Sequence, residues 1–292
     1  MKPTDKTEMT NLDASQLVGA NFAFQHFPLQ YCLATMQEAG LRKIELWGIA
    51  PHLDIERVSD AEVSALARLL GHHELALRSL TPEQVTYPVN IASGDAGLRS
   101  ASIAHFLRAA DIAAAMGAEY LFLTPGRGYE NATRDAAWAR SVEALSVIVD
   151  HARSRGLRCL LEPLQRVESN IVTDLDDLAR LWAELPGDSV DLVLDTVAMA
   201  AAGDTVEDYI RRFGDRLAHV HLVDGRPAGH LAWGDGELPL GEILQALIRA
   251  GYRGTLAFEP LGDAQYALDP RSVWRRNLTA LTPYLDTAGA FA

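Results

Sequence analysis

The chain has 292 residues, of which 48% are hydrophobic and 22% charged, so it can form one large domain or two small ones. Its formal net charge of −13 disfavours partners rich in phosphate, such as nucleic acids and anionic membrane surfaces. The two cysteines, Cys32 and Cys159, are too few for a disulfide framework or a cysteine-rich metal site. We therefore expect a globular protein with reduced core thiols and no nucleic-acid partner.

The first 15 residues are polar and lack the apolar segment of a signal peptide. No apolar run long enough to span a membrane follows them. We therefore expect residues 1–15 to form a flexible N-terminal tail and residues 16–292 to form one domain. We also expect a cytoplasmic protein without a membrane partner, and the sequence leaves open whether it is a homo-oligomer.

Short β-rich segments alternate with longer amphipathic segments along the rest of the chain, which is typical of βα units around a parallel sheet. Several of the intervening helices begin at an acidic or hydroxyl cap or end at glycine. Eight strands are predicted, over residues 17–24, 43–48, 75–80, 119–124, 158–163, 191–196, 218–224 and 255–260.

Eight βα units without a dividing linker favour a single (β/α)8 TIM barrel, an α/β fold. Helices are predicted between the strands, for example over 60–73, 97–118, 134–156 and 238–252. A doubly wound open sheet has the same alternation and is the structural alternative. The chain contains no GxGxxG after the first strand and no GxxxxGK[ST], which weakens the nucleotide-binding form of that alternative.

Polar side chains interrupt apolar runs at the ends of four successive predicted strands. In a barrel these strand ends meet at one mouth. A buried carboxylate without a partner costs several kcal/mol. A carboxylate at such a strand end therefore requires a cation, a hydrogen-bond network or a metal. The residues are Glu162 in "LLEP", Asp195 in "VLDT", His219 and His221 in "HVHLVD", and Glu259 in "AFEP".

A sulfur-free set of three carboxylates and one imidazole suits a divalent cation such as Mn²⁺, Co²⁺ or Mg²⁺. His219 and His221 share one face of their strand, so one can bind the ion while the other supports it. We predict His221 as the ligand, because it is nearer the strand end, and His219 as its support. Asp195 is the weakest member, since an Asp-Thr pair after a strand is also an ordinary helix N-cap. The predicted ligands are Glu162, Asp195, His221 and Glu259.

Four further residues are predicted to bind a substrate, each with a structural alternative. Glu168 would hold a substrate hydroxyl or cap the next helix. Trp47 shares a strand face with Glu45, a predicted polar group inside the barrel, and would stack on a sugar ring or pack in the core. His52 and Tyr87 lie in predicted loops at the mouth, where binding groups concentrate, although such residues are often only surface.

Together these residues resemble the xylose-isomerase-like superfamily of sugar isomerases and epimerases, and within it the fructoselysine 3-epimerase and ketose 3-epimerase group. The resemblance runs from the second predicted strand to the final helix. It rests on the segments "IELWGIAPH", "LTPEQVTYPVN", "LEPLQRVESNIV", "LDTVA", "HVHLVD", "GDGELPL" and "FEPL".

The resemblance implies a sugar 3-epimerase that acts on a ketose or a fructosamine-type substrate through an enediolate. It implies one divalent ion, Mn²⁺ by preference and otherwise Co²⁺ or Mg²⁺, held by the four predicted ligands. Glu162 and Glu259 would also form the acid/base pair, and Glu168 would contact sugar oxygens beside the carbonyl. The implied partner is thus a small sugar or sugar derivative.

Two departures distinguish this chain from the 3-epimerases of free ketoses. Those enzymes carry a histidine and an arginine where this chain has Ala198 and Pro227, and Arg226 is the candidate substitute for the arginine. Free fructose, tagatose and psicose are therefore doubtful as best substrates. An aldose–ketose isomerase, a metal-dependent lyase acting on 3-keto glycosides and a non-enzymatic binding barrel remain alternatives, whereas an endonuclease of this fold would need more histidines and a basic face.

Overall fold

A computed structural model describes residues 11–84, 88–262 and 265–286 of the chain. Eight parallel strands form a closed barrel in which each strand pairs with its neighbours in chain order, and the eighth pairs with the first. The predicted TIM barrel is therefore confirmed, and the open doubly wound sheet is excluded. Strands β1 to β8 span Leu17–Ala20, Lys43–Gly48, Ala76–Pro82, Tyr120–Leu123, Arg158–Leu161, Val190–Asp195, Leu217–His221 and Thr255–Ala257.

The connections between the strands contain α-helices, and two of these helices follow β6 in succession. The four helices predicted by their bounds are all present, with ends within three residues of the prediction. In the part of the chain that the structure describes, helices α1 to α9 span Leu29–Glu38, Asp60–His72, Ala96–Ala115, Arg134–Ser154, Leu175–Glu184, Thr196–Ala202, Val206–Phe213, Leu240–Arg249 and Pro270–Leu281.

Local capping explains where the helices begin and end. Helix α2 begins at a capping box, in which the Ser59 hydroxyl accepts from the Glu62 amide and the Glu62 carboxylate accepts from the Ser59 amide. Helix α4 ends just before Gly156, whose φ of 80° is a left-handed conformation that glycine adopts without strain. These signals are local, which is why the sequence predicts the ends of these helices well.

Four of the predicted strands, those of β1, β5, β7 and β8, extend two or more residues beyond the observed ones at the mouth. Strand β1 ends at Ala20 and the chain turns into a short 3-10 helix, while β8 ends at Ala257, two residues before Glu259. Glu162 likewise follows the last residue of β5. The apolar sequence continues past these strand ends because buried residues such as Phe22, Phe24 and Phe258 follow them. The apolar pattern therefore does not show where strand pairing ends.

The barrel interior is partly polar. A small apolar cluster of Tyr120, Phe122, Leu160 and Val193 lies apart from the main core, in which most other buried apolar side chains pack together. Near it the Arg78 guanidinium stacks over the Tyr120 ring, with 4.4 Å from its carbon to the ring centroid. Side chains therefore fill the barrel interior below the polar residues of the mouth, and no open channel runs through it along these residues.

Residues before the predicted domain boundary at residue 16 also pair with the described part of the chain. Leu12–Asp13 forms a short parallel pair with Leu285–Asp286, and Leu12 is fully buried in the main core. We therefore propose that the domain includes Leu12. Among the described helices, none is long and apolar enough to cross a membrane.

Candidate active site

The four predicted metal ligands come together at the mouth of the barrel, and one potential ligand atom from each lies within 4.8 Å of the others. Nδ1 of His221 lies 2.8 Å from Oε1 of Glu162 and 3.1 Å from Oε2 of Glu259. Strand register explains the approach, because Asp195 and His221 are direct partners between β6 and β7. Four consecutive strands thus converge on one point.

Three potential ligand atoms in this group are buried and have no hydrogen-bond partner among the described residues: Oε1 of Glu162, Oδ2 of Asp195 and Nδ1 of His221. A buried polar atom without a partner costs roughly 1–3 kcal/mol. The short distances therefore describe a cage that requires a further positive group rather than a satisfied hydrogen-bond network. Three carboxylates and one imidazole are the donors that Mn²⁺ and similar divalent ions accept, so the residues fit such an ion.

Asp195 serves as a helix cap and also belongs to the cage. Its Oδ1 accepts a hydrogen bond of 2.6 Å from the amide of Ala198 and caps α6, while its Oδ2 remains without a partner. The N-cap alternative considered for this residue is therefore correct, and it is compatible with metal binding because a carboxylate has two oxygens.

The electrostatics of the cage favour a cation. Burial raises the pKa of the Glu162 and Asp195 carboxyl groups above their ordinary values. Burial alone would lower the pKa of His221, but the surrounding carboxylates raise it well above its usual range. All three shifts arise because desolvated negative charges attract positive charge, which a proton or a divalent ion can supply.

His219 lies beside the cage in a hydrogen-bonded chain inside the barrel. Its Nδ1 is 2.7 Å from Oγ1 of Thr255, and its Nε2 is 3.1 Å from Oε2 of Glu45. The same Glu45 oxygen lies 3.2 Å from Nε2 of His221, and the Thr81 hydroxyl donates to the other Glu45 oxygen. In His221, the Glu45 carboxylate beside Nε2 favours the tautomer that carries hydrogen on Nε2. The lone pair on Nδ1 of His221 is then directed into the cage.

Glu45, His219 and His221 are themselves close enough to hold a metal ion. Their close contacts, however, satisfy the geometry of hydrogen bonds, unlike those of the cage. Burial alone would raise the pKa of Glu45, but the two histidines lower it below its ordinary value, and burial lowers the pKa of His219 to about 4. An ionised Glu45 beside a neutral His219 is the arrangement of a supporting network, so the cage fits a metal ion better than this group does.

The chain matches the family described as "Xylose isomerase-like TIM barrel" over residues 33–284. It belongs to this family. Among relatives, it is 28% identical over 256 residues to fructoselysine 3-epimerase of Escherichia coli O157:H7, covering 87% of this chain and 92% of the relative. It is 30% identical over 217 residues to L-ribulose 3-epimerase of Methylomonas sp. (strain DH-1), covering 71% of each chain.

A solved structure of similar fold agrees with the barrel described above. The D-psicose 3-epimerase of Clostridium cellulolyticum H10, solved with D-tagatose, superposes with a TM-score of 0.73 at 20% identity, covering 90% of this chain and 96% of that one. With relatives of this kind, the chain is an enzyme of the carbohydrate isomerase and epimerase class. The non-enzymatic binding barrel is therefore set aside.

Within this xylose-isomerase-like barrel, aromatic side chains connect Trp47 to the cage. The rings of Trp47 and Phe22 lie 5.5 Å apart between centroids, and Phe22 meets the ring of His221 edge-on at 6.0 Å. The indole nitrogen of Trp47 donates a 2.8 Å hydrogen bond to Oε2 of Glu83. Trp47 is half-buried, so part of its surface remains accessible, and its contact with a sugar stays a prediction.

His52 has protein partners at both ring nitrogens. Its Nδ1 lies 2.8 Å from the side-chain nitrogen of Asn21, and its Nε2 lies 2.8 Å from the carbonyl oxygen of Phe27. A sugar contact through either nitrogen would have to replace one of these bonds, so the predicted substrate role has no support from this arrangement. Tyr87, predicted with it, lies outside the described residues.

Glu168 lies near the cage together with a residue that the sequence reasoning missed. Its Oε1 is 3.7 Å from Nδ1 of His230, whose Nε2 is 3.6 Å from Oε2 of Glu259. Burial raises the pKa of Glu168 to about 7, although His230 opposes the shift. The available signal for His230 was its position in the loop after β7, but a lone histidine in a loop is usually surface.

The loop after β7 is organised around the buried carboxylate of Asp224. This carboxylate accepts hydrogen bonds of 2.8–3.0 Å from four backbone amides, those of Gly225, Gly234, Gly236 and Leu238. A side chain at Gly236 would collide with it, since an added Cβ would lie 2.3 Å from Asp224 Oδ1. The segment 233–240 is therefore held in place by this carboxylate.

Asp224→Ala is expected to lower the free energy of unfolding by about 3 kcal/mol, because several hydrogen bonds to one buried charge are lost together. Urea denaturation measures the change. Asp215→Ala, at an exposed aspartate in the turn before β7, provides the control and should leave the midpoint nearly unchanged. Equal midpoints for the two variants would show that the Asp224 network does not stabilise the fold.

Proposed function

We propose that this protein is a divalent-metal-dependent epimerase that inverts carbon 3 of a ketose or fructosamine-type sugar by removing and returning a proton beside a carbonyl. The observation that supports it best is the cage, in which buried oxygens and one imidazole nitrogen converge without hydrogen-bond partners. The fructoselysine and ribulose 3-epimerases among its relatives support the same reaction class.

Glu162, Asp195, His221 and Glu259 would hold the ion, with Mn²⁺ proposed and Co²⁺ or Mg²⁺ as alternatives. When bound, such an ion polarises the substrate carbonyl and increases the acidity of the neighbouring C–H bond. One of the two glutamates then accepts the proton from carbon 3, and the other donates a proton to the opposite face. A positioned acid or base typically contributes about 10²- to 10⁴-fold to the rate.

The surroundings of the cage favour a substituted sugar over a free ketose. Ala198 has no polar side-chain group, and Pro227 is exposed. The guanidinium of Arg226 donates to the carbonyl of Asp235 and lies 4.0 Å from Glu237, so it is engaged within its own loop. The two side-chain contacts expected in free-ketose enzymes are thus lacking, and a fructosamine-type sugar is our preferred substrate.

Proton exchange tests the proposal. The Mn²⁺-loaded protein is incubated in D₂O with free ketoses, fructosamine adducts and 3-keto glycosides, and NMR follows deuterium at each carbon. We expect deuterium at carbon 3 of a fructosamine adduct, abolished by a chelator. Deuterium at carbon 1 or carbon 2 would instead identify an aldose–ketose isomerase. No exchange with any of these sugars while the metal is bound would overturn the epimerase proposal and favour the lyase.

Metal removal is expected to destabilise the fold. At an ion concentration of ~100 Kd, binding stabilises a protein by about 2.7 kcal/mol, which is roughly 5 °C in Tm for a domain of this size. The ion must displace protons from groups whose pKa values are raised, namely Glu162, Asp195 and His221. The gain in Tm with Mn²⁺ should therefore shrink as the pH falls from about 8 to about 5. An equal gain in Asp195→Asn would contradict the assignment of the site.

A further inference from the structure

The backbone around His230 is hydrogen-bonded to the loops that follow two other strands, β5 and β8. The amide of Gly229 donates a 2.9 Å hydrogen bond to the side-chain oxygen of Gln165, in the loop after β5. The carbonyl oxygen of His230 accepts a 2.8 Å hydrogen bond from the amide of Gly262, in the loop after β8. The loop itself begins at the buried Asp224. His230 is therefore held over the mouth by a rigid frame.

The imidazole of His230 has two nitrogens without hydrogen bonds to the described residues. It lies between Glu168 and Glu259, at 3.7 Å and 3.6 Å, which is beyond ordinary hydrogen-bond length. Its side chain is only 15% exposed. Both nitrogens can therefore form a shorter hydrogen bond to a group bound between the two carboxylates.

The position between two carboxylates defines the chemistry of that group. A hydroxyl can accept a hydrogen bond from the imidazole and donate one to a carboxylate, so it satisfies both neighbours at once. A phosphate or a carboxylate can only accept, and Glu168 and Glu259 would repel its charge. The space beside His230 thus fits a hydroxyl of a neutral or cationic sugar.

We propose that His230 binds a hydroxyl of the substrate between Glu168 and Glu259, and that from the loop after β7, three residues beyond Pro227, it supplies a contact missing at Ala198 and Pro227. The proposal rests on the sugar-epimerase function proposed above and extends it to substrate choice. His230 selects sugars without phosphate or carboxylate groups near the reacting carbon. We do not assign it as a metal ligand, because it is not in the group whose potential ligand atoms all lie within 4.8 Å of one another.

The test compares His230→Ala and His230→Gln with the control His72→Ala, at an exposed histidine in the last turn of α2. Metal content is measured by elemental analysis. Sugar binding is measured by the broadening of sugar proton signals that protein-bound Mn²⁺ causes, which does not depend on turnover. Deuterium exchange is then followed in the same samples, with fructosamine adducts, free ketoses and a ketose phosphate as probes.

We expect His230→Ala to keep one Mn²⁺ per chain and to raise the Kd of the fructosamine adduct about 10- to 100-fold, as expected for loss of a hydrogen bond in a charged site. KM should rise more than kcat falls. His230→Gln, which retains a donor, should recover part of the affinity. The control should bind like the wild type, and the ketose phosphate should bind at least about tenfold more weakly than the uncharged ketose.

Several outcomes would overturn the proposal. Binding and KM within about twofold of wild type in His230→Ala would remove His230 from the substrate site while leaving the epimerase function standing. Loss of Mn²⁺ from His230→Ala would show that His230 is a ligand or a structural residue. Tight binding of the ketose phosphate would refute the proposed selection against phosphorylated sugars. Sugar binding without deuterium exchange in the wild type would reject the epimerase function, and the Kd values would still decide the role of His230.

Discussion

Glu162→Gln and Glu259→Gln are each expected to slow deuterium exchange into the sugar by at least about 100-fold, because an amide of the same shape cannot accept the proton. The two residues approach the same nitrogen of His221 from different strands, at 2.8 Å and 3.1 Å. Either loss therefore breaks a pathway that needs one group to remove the proton and another to return it. The NMR assay described above measures the rate at saturating Mn²⁺.

Both glutamates are also proposed ligands, so a loss of activity must be separated from a loss of metal. Asp195→Asn provides the matched comparison, since Asp195 is a proposed ligand without an acid/base role. We expect excess Mn²⁺ to restore much of the exchange in Asp195→Asn and little of it in the two glutamate variants. Glu143→Gln, at an exposed position on α4, is the neutral control. A metal-loaded glutamate variant that kept a tenth of the wild-type rate would contradict the proposed acid/base pair.

Removal of Glu45 should damage both stability and metal binding. Glu45 is completely buried and accepts from His219, His221 and Thr81. Glu45→Leu leaves these donors unpaired, and breaking a buried charged network in this way typically costs about 3–5 kcal/mol. His221 also loses the carboxylate that orients it, and loss of such a support typically weakens metal affinity about 10- to 100-fold.

Urea denaturation and Mn²⁺ titration measure the two effects separately. Glu45→Gln retains the shape and one acceptor, so we expect a smaller loss of stability than in Glu45→Leu but still a weaker affinity for Mn²⁺. Glu74→Gln is the control, because Glu74 forms an ion pair with Arg42 that is exposed and contributes about 1 kcal/mol or less. Wild-type Mn²⁺ affinity in both Glu45 variants would show that Glu45 does not orient His221.

The barrel and the cage could be predicted because their signals are local. Each strand carries its own apolar run, and each predicted ligand interrupts or ends one, so strand order alone brings Glu162, Asp195, His221 and Glu259 to one mouth. The choice of His221 over His219 as the residue facing the cage also followed from strand position. In the structure His221 lies in the cage, while His219 contacts Thr255 and Glu45, and the ligand role of His221 stays a prediction.

The remaining parts of the site depend on contacts between distant segments. His230 reaches the mouth because Asp224, Gln165 and Gly262 fix its loop, and no pattern within the loop predicts those bonds. His52 satisfies the pattern of a mouth residue, but its nitrogens are used by Asn21 and Phe27. Side-chain partners chosen across the fold are therefore the main limit of reading this site from sequence.

The distribution of the site along the chain bears on how such an enzyme can diversify. All four cage residues follow or end β5 to β8, whereas Trp47, Thr81 and Glu45 come from β2 and β3. A change in the loop after β2 can therefore alter the Trp47 side of the mouth without replacing a cage residue. Changes in the loops after β5 to β8 act on residues beside the cage, such as Glu168 and His230, so there substrate choice and ion binding are expected to change together.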